Sequence, residues 1–122
     1  MNLFRIILQV GDLERAAAFY GQLLGREGRR VGGGRVYFDC GPIVALLGVD
    51  APAPVPEYIY LAVPDVDAVF ARARELGALA NEDVHGEPAG AIVKRPWGER
   101  SFYAVDPWGN GLCFVDEGTL FR

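Results

Sequence analysis

Few residues in this chain could do acid–base, nucleophilic or metal chemistry. There is one histidine, His85, and there are two cysteines, Cys40 and Cys113. A site of three histidines, a triad of two histidines and a carboxylate, and any four-ligand Cys/His zinc site are excluded within one chain. A Ser-His-Asp or Cys-His centre would have to use His85. That residue stands in Glu82-Asp83-Val84-His85-Gly86-Glu87-Pro88, a polar, turn-rich stretch that reads as surface. Cys40 precedes a Gly-Pro turn and reads as a small buried side chain. Cys113 has no Lys, Arg or His beside it in sequence to lower its pKa. Gly32-Gly33-Gly34 reads as a flexible turn between helix and strand, without the Lys-Ser/Thr of a phosphate loop.

The other candidates are cationic and aromatic, and strand alternation decides where they point. From Phe4 to Val10, the residues Phe4, Ile6, Leu8 and Val10 fall on one face and Arg5, Ile7 and Gln9 on the other. In Tyr58–Val63 the split is Ile59, Leu61 and Val63 against Tyr58, Tyr60 and Ala62. If the first set in each strand is buried under a helix, Arg5, Ile7, Tyr58 and Tyr60 share the opposite faces. Arg5 either holds an anionic ligand group or pairs with a carboxylate of the protein. The tyrosines offer flat surfaces for stacking. Trp97 and Trp108 stand in two Pro-Trp-Gly triplets, where Pro and Gly mark chain reversals and the ring can pack on the turn.

The elements that position these residues occur twice. Asp12 caps a helix with apolar positions Leu13, Ala16, Ala17, Tyr20, Leu23 and Leu24, stopped by Gly25. Two short strands, Val36–Asp39 and Ile43–Leu47, follow. In the second half Asp65 caps a helix with the stripe Val66, Val69, Phe70, Ala73 and Leu76, stopped by Gly77. Strand candidates then lie at Ala91–Val93, Ser101–Val105 and Leu112–Val115. Leu8-x-Val10-x-Asp12-Leu13 lines up with Leu61-x-Val63-x-Asp65-Val66. Residues 1–50 and 57–122 are therefore read as two modules of one domain, joined by the stiff, Pro-rich linker 51–56.

Composition narrows the partners. At 122 residues and 51% hydrophobic, the chain suits one core-bearing domain. A net charge of −4 and a pI near 4.9 argue against nucleic acid. Only Lys94 is a lysine, so the remaining eleven of the twelve basic residues are arginines. The first residues hold no apolar run long enough for a signal peptide or membrane span. The expectation is a cytoplasmic protein with reduced thiols.

Val10-Gly11-Asp12-Leu13-Glu14-Arg15-Ala16 with Phe19-Tyr20 and Leu23-Leu24-Gly25 resembles the opening module of the glyoxalase, bleomycin resistance protein and extradiol dioxygenase superfamily, the vicinal oxygen chelate group. Pro96-Trp97-Gly98-Glu99-Arg100, Phe102, Asp106-Pro107-x-Gly109-Asn110 and Phe114 resemble its bleomycin-resistance branch. The resemblance implies an α+β fold of two βαβββ modules, with curled mixed β-sheets around a cleft and helices outside. It further implies a homodimer, with or without exchanged modules, whose ligand lies in grooves at the subunit interface.

Enzymes of the superfamily hold a divalent metal through His, Gln or Glu at the start of the first strand and in the last strand of each module. By resemblance those positions here are Arg5, Ala45, Tyr58 and Cys113. Arg is a permanent cation, Ala donates nothing, Tyr would have to be deprotonated, and one thiolate does not suit a hard metal. No metal and no other cofactor is expected, and catalysis is doubtful. The expected function is sequestration of a planar or aromatic drug or metabolite by Arg5, Ile7, Tyr58, Tyr60, Trp97, Phe102 and Cys113. Alternatives are a glyoxalase-like lyase, isomerase or dioxygenase-related enzyme with a non-standard site, and a scaffold homologue that retains no ligand.

Overall fold

Asp12 and Asp65 begin the two helices as their spacing requires. The Asp12 carboxylate accepts the Arg15 amide at 3.0 Å, and that of Asp65 accepts the Ala68 amide at 3.0 Å. The helices α1 (Leu13–Leu24) and α2 (Val66–Glu75) end beside Gly25 and Gly77, whose φ angles of 67° are the left-handed geometry that favours glycine. The computed structural model describes residues 1–122, which divide into two units, Met1–Val55 and Pro56–Arg122.

The first unit runs β1 (Arg5–Val10), α1, β2 (Arg29–Val31), β3 (Arg35–Asp39) and β4 (Ile43–Gly48). Its strands form one mixed sheet in the order β1-β4-β3-β2, with β1 and β4 parallel and the other pairs antiparallel. Leu8, Val10, Val36, Phe38, Val44 and Leu46 are buried on the side that also holds Ala16, Phe19, Tyr20 and Leu23 of α1. A Cβ on Gly28 would come within 2.6 Å of Val36 and 2.7 Å of Phe38, so only glycine lets the chain leave α1 this close to the core. Two expectations change. Phe4 precedes the strand and is 64% exposed, so the buried stripe starts later than alternation implied. The three glycines at 32–34 turn one strand into the next, because Arg29–Val31 pairs with Arg35–Tyr37.

The second unit repeats the order with an addition. After β5 (Ile59–Val63) and α2, a two-residue-per-strand hairpin, β6 (Asp83–Val84) and β7 (Glu87–Pro88), precedes β8 (Val93–Lys94), β9 (Arg100–Val105) and β10 (Gly111–Asp116). The sheet order β5-β10-β9-β8 matches the first unit strand for strand. Tyr58 lies just before β5 and not within it, and the strand expected at Ala91–Val93 is Val93–Lys94. Phe102 and Phe114 stack at 5.4 Å, and Phe70 of α2 meets Phe102 edge-on at 5.3 Å. No helix is long and apolar enough to cross a membrane.

The turn Asp106-Pro107-Trp108-Gly109-Asn110 joins β9 to β10. One Asp106 carboxylate oxygen accepts the amides of Trp108 and Asn110, each at 2.9 Å, and the other accepts the Asn110 side-chain amide at 2.8 Å. Gly109, at φ 90°, supplies the left-handed position. This motif, which carries much of the family likeness, is a device for reversing the chain and supplies no reactive group.

Candidate functional site

In each unit the helix covers one face of the sheet and the opposite face carries the chemistry-bearing side chains. In the second unit, register places Tyr60 opposite Cys113 and Cys113 opposite Tyr103, which makes one row across three strands. Tyr58 meets Tyr103 edge-on at 4.7 Å, and Tyr60 does so at 6.3 Å. Gly111 leaves the space that the Tyr58 ring occupies, since a Cβ there would sit 2.5 Å from the ring. The Tyr58 hydroxyl donates to the Glu82 carboxylate. Burial, then that bond, pushes the Tyr58 pKa up to about 12.

Over this row lies the segment between α2 and β8. Ala80 N–H donates to the Tyr103 carbonyl at 3.0 Å, Tyr103 N–H to the Ala89 carbonyl at 2.8 Å, and Val105 N–H to the Ala78 carbonyl at 2.8 Å. Ala89, Tyr103, Cys113 and Val115 form a buried cluster, against which Tyr58, Ala80, Val84 and Leu120 pack. Cys113 is fully buried, and desolvation pushes its thiol up to about 11, the reverse of what a reactive thiolate needs. Arg95 is buried here too, with its guanidinium 5.1 Å from the Tyr103 ring centre.

Tyr58, Tyr60 and Cys113 thus come together as the sequence suggested, and Tyr60 is 57% exposed. Phe102 does not join them. It is fully buried on the α2 side of β9, one residue out of phase with the row, and its neighbour Tyr103 takes the place expected of it. Trp97 belongs to another cluster: its indole N–H donates to Glu99 at 2.6 Å and its ring meets His85 edge-on at 5.0 Å. The second Glu99 oxygen accepts the Phe121 amide at 2.9 Å. His85 is exposed at the tip of the β6–β7 hairpin with φ 52°, a turn position rather than that of a base.

On the first unit the matching row is Ile7, Ala45 and Tyr37. Ile7 is 45% exposed. The Arg5 guanidinium lies 4.8 Å from the Phe4 ring centre and 5.4 Å from that of Tyr37, and no carboxylate pairs with it. Arg29 lies over Tyr37 at 5.4 Å and pairs bidentately with Asp39, both contacts at 3.0 Å. Tyr37, Tyr103 and Arg95 were not among the sequence candidates. The usable signal for the tyrosines was their shared position opposite Ala45 and Cys113.

The family model of the glyoxalase-like domain matches residues 5–115, both sheets included. The chain belongs to the glyoxalase-like domain family. No curated protein sequence matches it. Among solved structures, this glyoxalase-like chain is similar to the oxidase ChaP-H2, at 26% identity and TM-score 0.76, covering 95% of this chain and 93% of that one. A bleomycin resistance determinant encoded on the transposon Tn5 shares the fold at 18% identity and TM-score 0.72, covering 95% and 98%. So does a glyoxalase/bleomycin resistance protein from Catenulispora acidiphila, at 24% identity and TM-score 0.70, again covering 95% and 98%.

The metal positions of the superfamily can be tested on what stands there. Arg5 presents a cation flanked by two rings, and Ala45 is buried without a donor atom. The Tyr58 hydroxyl is engaged with Glu82, and Cys113 holds its proton well above neutral pH. No group of three or more His, Cys, Asp or Glu side chains comes together. This donor set does not fit a divalent metal.

Proposed function

We propose that this glyoxalase-like protein is a metal-independent small-molecule-binding protein that sequesters a planar, partly aromatic compound, a drug or a metabolite, in a cleft at a homodimer interface. The observation that carries the reading is the row Tyr60–Cys113–Tyr103 with Tyr58 beside it. Three tyrosine rings meet edge-on at a sheet face that has neither a nucleophile of lowered pKa nor a metal-ligand set. At its open end, where Tyr60 is exposed, such a face can hold a flat ring through edge and face contacts and apolar burial, and it offers little to a bond-breaking step. Arg5, Tyr37 and Ile7 supply a second flat-ligand surface on the first unit. Bleomycin-resistance structures among the fold neighbours agree with this use of the scaffold.

The oxidase neighbour favours a second reading, an enzyme with a non-standard site. Titration of the protein with flat aromatic compounds, followed by intrinsic fluorescence and by product analysis, separates the two. Sequestration expects saturable quenching and unchanged ligand. Turnover with or without added Fe²⁺, Mn²⁺ or Ni²⁺ would overturn it, as would a melting point raised by those metals at millimolar concentration. A monomer at tens of micromolar in sedimentation would remove the interface cleft.

A further inference from the structure

The side chain of Arg95 crosses the sheet face beside Tyr103 and is 2% exposed. Its Nε donates to the Ser101 hydroxyl at 3.1 Å, and Nη2 donates to the carbonyls of Ser101 at 3.0 Å and Ala91 at 3.3 Å. Every one of these partners is neutral, as is the Tyr103 ring. Arg95 takes part in none of the ion pairs Arg29–Asp39, Arg30–Glu14 and Arg100–Asp67. The nearest acid in sequence, Glu99, directs its oxygens to the Trp97 indole and the Phe121 amide and forms no ion pair with Arg95. Buried Nη1 has no acceptor at all. Guanidinium does not give up its proton inside a protein, so the charge is retained. A cation buried without an ion pair is costly to desolvate, and the one donor left without an acceptor adds to that cost.

We infer that Arg95 is the recognition group for an anion on the ligand, so that the compound bound on this face is an aromatic carboxylate or a comparable planar oxyanion. The inference rests on the small-molecule reading above and adds the charge of the ligand to it. Nη1 supplies unused donors beside the Tyr58–Tyr60–Tyr103 cluster, so the oxyanion meets the guanidinium while the ring lies against the tyrosines. Entry to this face requires displacement of the overlying segment, of which the Asp83–Pro88 hairpin is the exposed part.

The test uses two probes with one ring system and different charge, 2-naphthoate and 2-naphthamide, titrated calorimetrically into the wild-type protein, Arg95→Met and Arg95→Lys. Wild type is expected to bind the carboxylate roughly ten- to a hundredfold more tightly than the amide, the range of charge-assisted hydrogen bonding. Arg95→Met is expected to lose that preference and keep amide binding. Arg95→Lys retains part of the preference. Amide binding without a preference for naphthoate in wild type overturns the role of Arg95 and leaves the small-molecule reading standing. Binding of neither probe overturns both. An Arg95→Met protein that melts lower but keeps the preference assigns Arg95 to packing alone.

Discussion

Gly90→Ala probes how firmly the overlying segment is held on the tyrosine face. A Cβ on residue 90 would stand 2.3 Å from the Ala80 carbonyl oxygen and 3.2 Å from the Leu79 Cβ. The first contact is about 1 Å short of ordinary van der Waals separation, and main chain cannot swing aside as a side chain can. Residues 79–80 and 89–91 must separate. The hydrogen bonds on either side, Ala80 N–H to Tyr103 and Tyr103 N–H to Ala89, stretch or break. Each is worth about 1 kcal/mol net. With overpacking of about 1–3 kcal/mol added, the expected destabilisation is roughly 3–5 kcal/mol. For a chain of this length that corresponds to a fall in Tm of about 10 °C or more. The same displacement uncovers Cys113. In a Cys40→Ser background, where Cys113 is the single remaining thiol, its reaction with an aromatic disulfide reagent below the unfolding transition is expected to accelerate at least about tenfold. A Gly90→Ala protein that melts within about 2 °C of the parent, with Cys113 still protected, would refute the reasoning.

Gly111→Ala forces the Tyr58 ring away from its seat and is expected to cost about 2 kcal/mol, but much less in a Tyr58→Ala background; equal costs in a double-mutant cycle of urea midpoints would show that ring and glycine are not coupled. Stability also depends on alkaline pH. Tyr58 holds its proton up to about 12 instead of 10.0, and Cys113 up to about 11 instead of 9.0, so the unfolded chain releases both protons first. Their contribution is intact below pH 9 and is lost as pH rises towards 12. Cys113→Ala should flatten the loss between pH 9 and 11, and Tyr58→Phe the loss between 10 and 12, in midpoints measured at fixed salt.

Which side chains reach the site depended on how much contrast each strand carries in its sequence. The two helices and their modules were legible because Asp caps, glycine stops and apolar stripes are local signals, and they recur at matching positions. In β1 the alternation of Arg5, Ile7 and Gln9 with Ile6, Leu8 and Val10 separates the faces by polarity, and the structure keeps that separation. In β9 the contrast is missing. Ser101, Phe102, Tyr103 and Ala104 are all buried, because α2 covers one side and residues 78–91 cover the other. Composition alone cannot phase such a strand, and Phe102, carried over from the family motif, took the place that belongs to Tyr103.

The same covering segment hid Arg95. Its short hairpin has no apolar period, and its Glu, Asp, His and Gly residues read as plain surface. An arginine just beyond it, in a chain with eleven of them, carries no mark of burial. Arg5 is exposed on the sheet face opposite α1, where strand alternation places it. Arg5 has water for compensation, whereas Arg95 has four neutral contacts and an unused donor. For the selection of an anionic ligand the buried guanidinium therefore has the stronger claim. Its charge–ligand interaction is less screened than one formed at the surface. It also faces the tyrosines that a flat ring would touch. A protein carrying a net charge of −4 repels anions at long range, so selection for one has to come from a local cation of this kind.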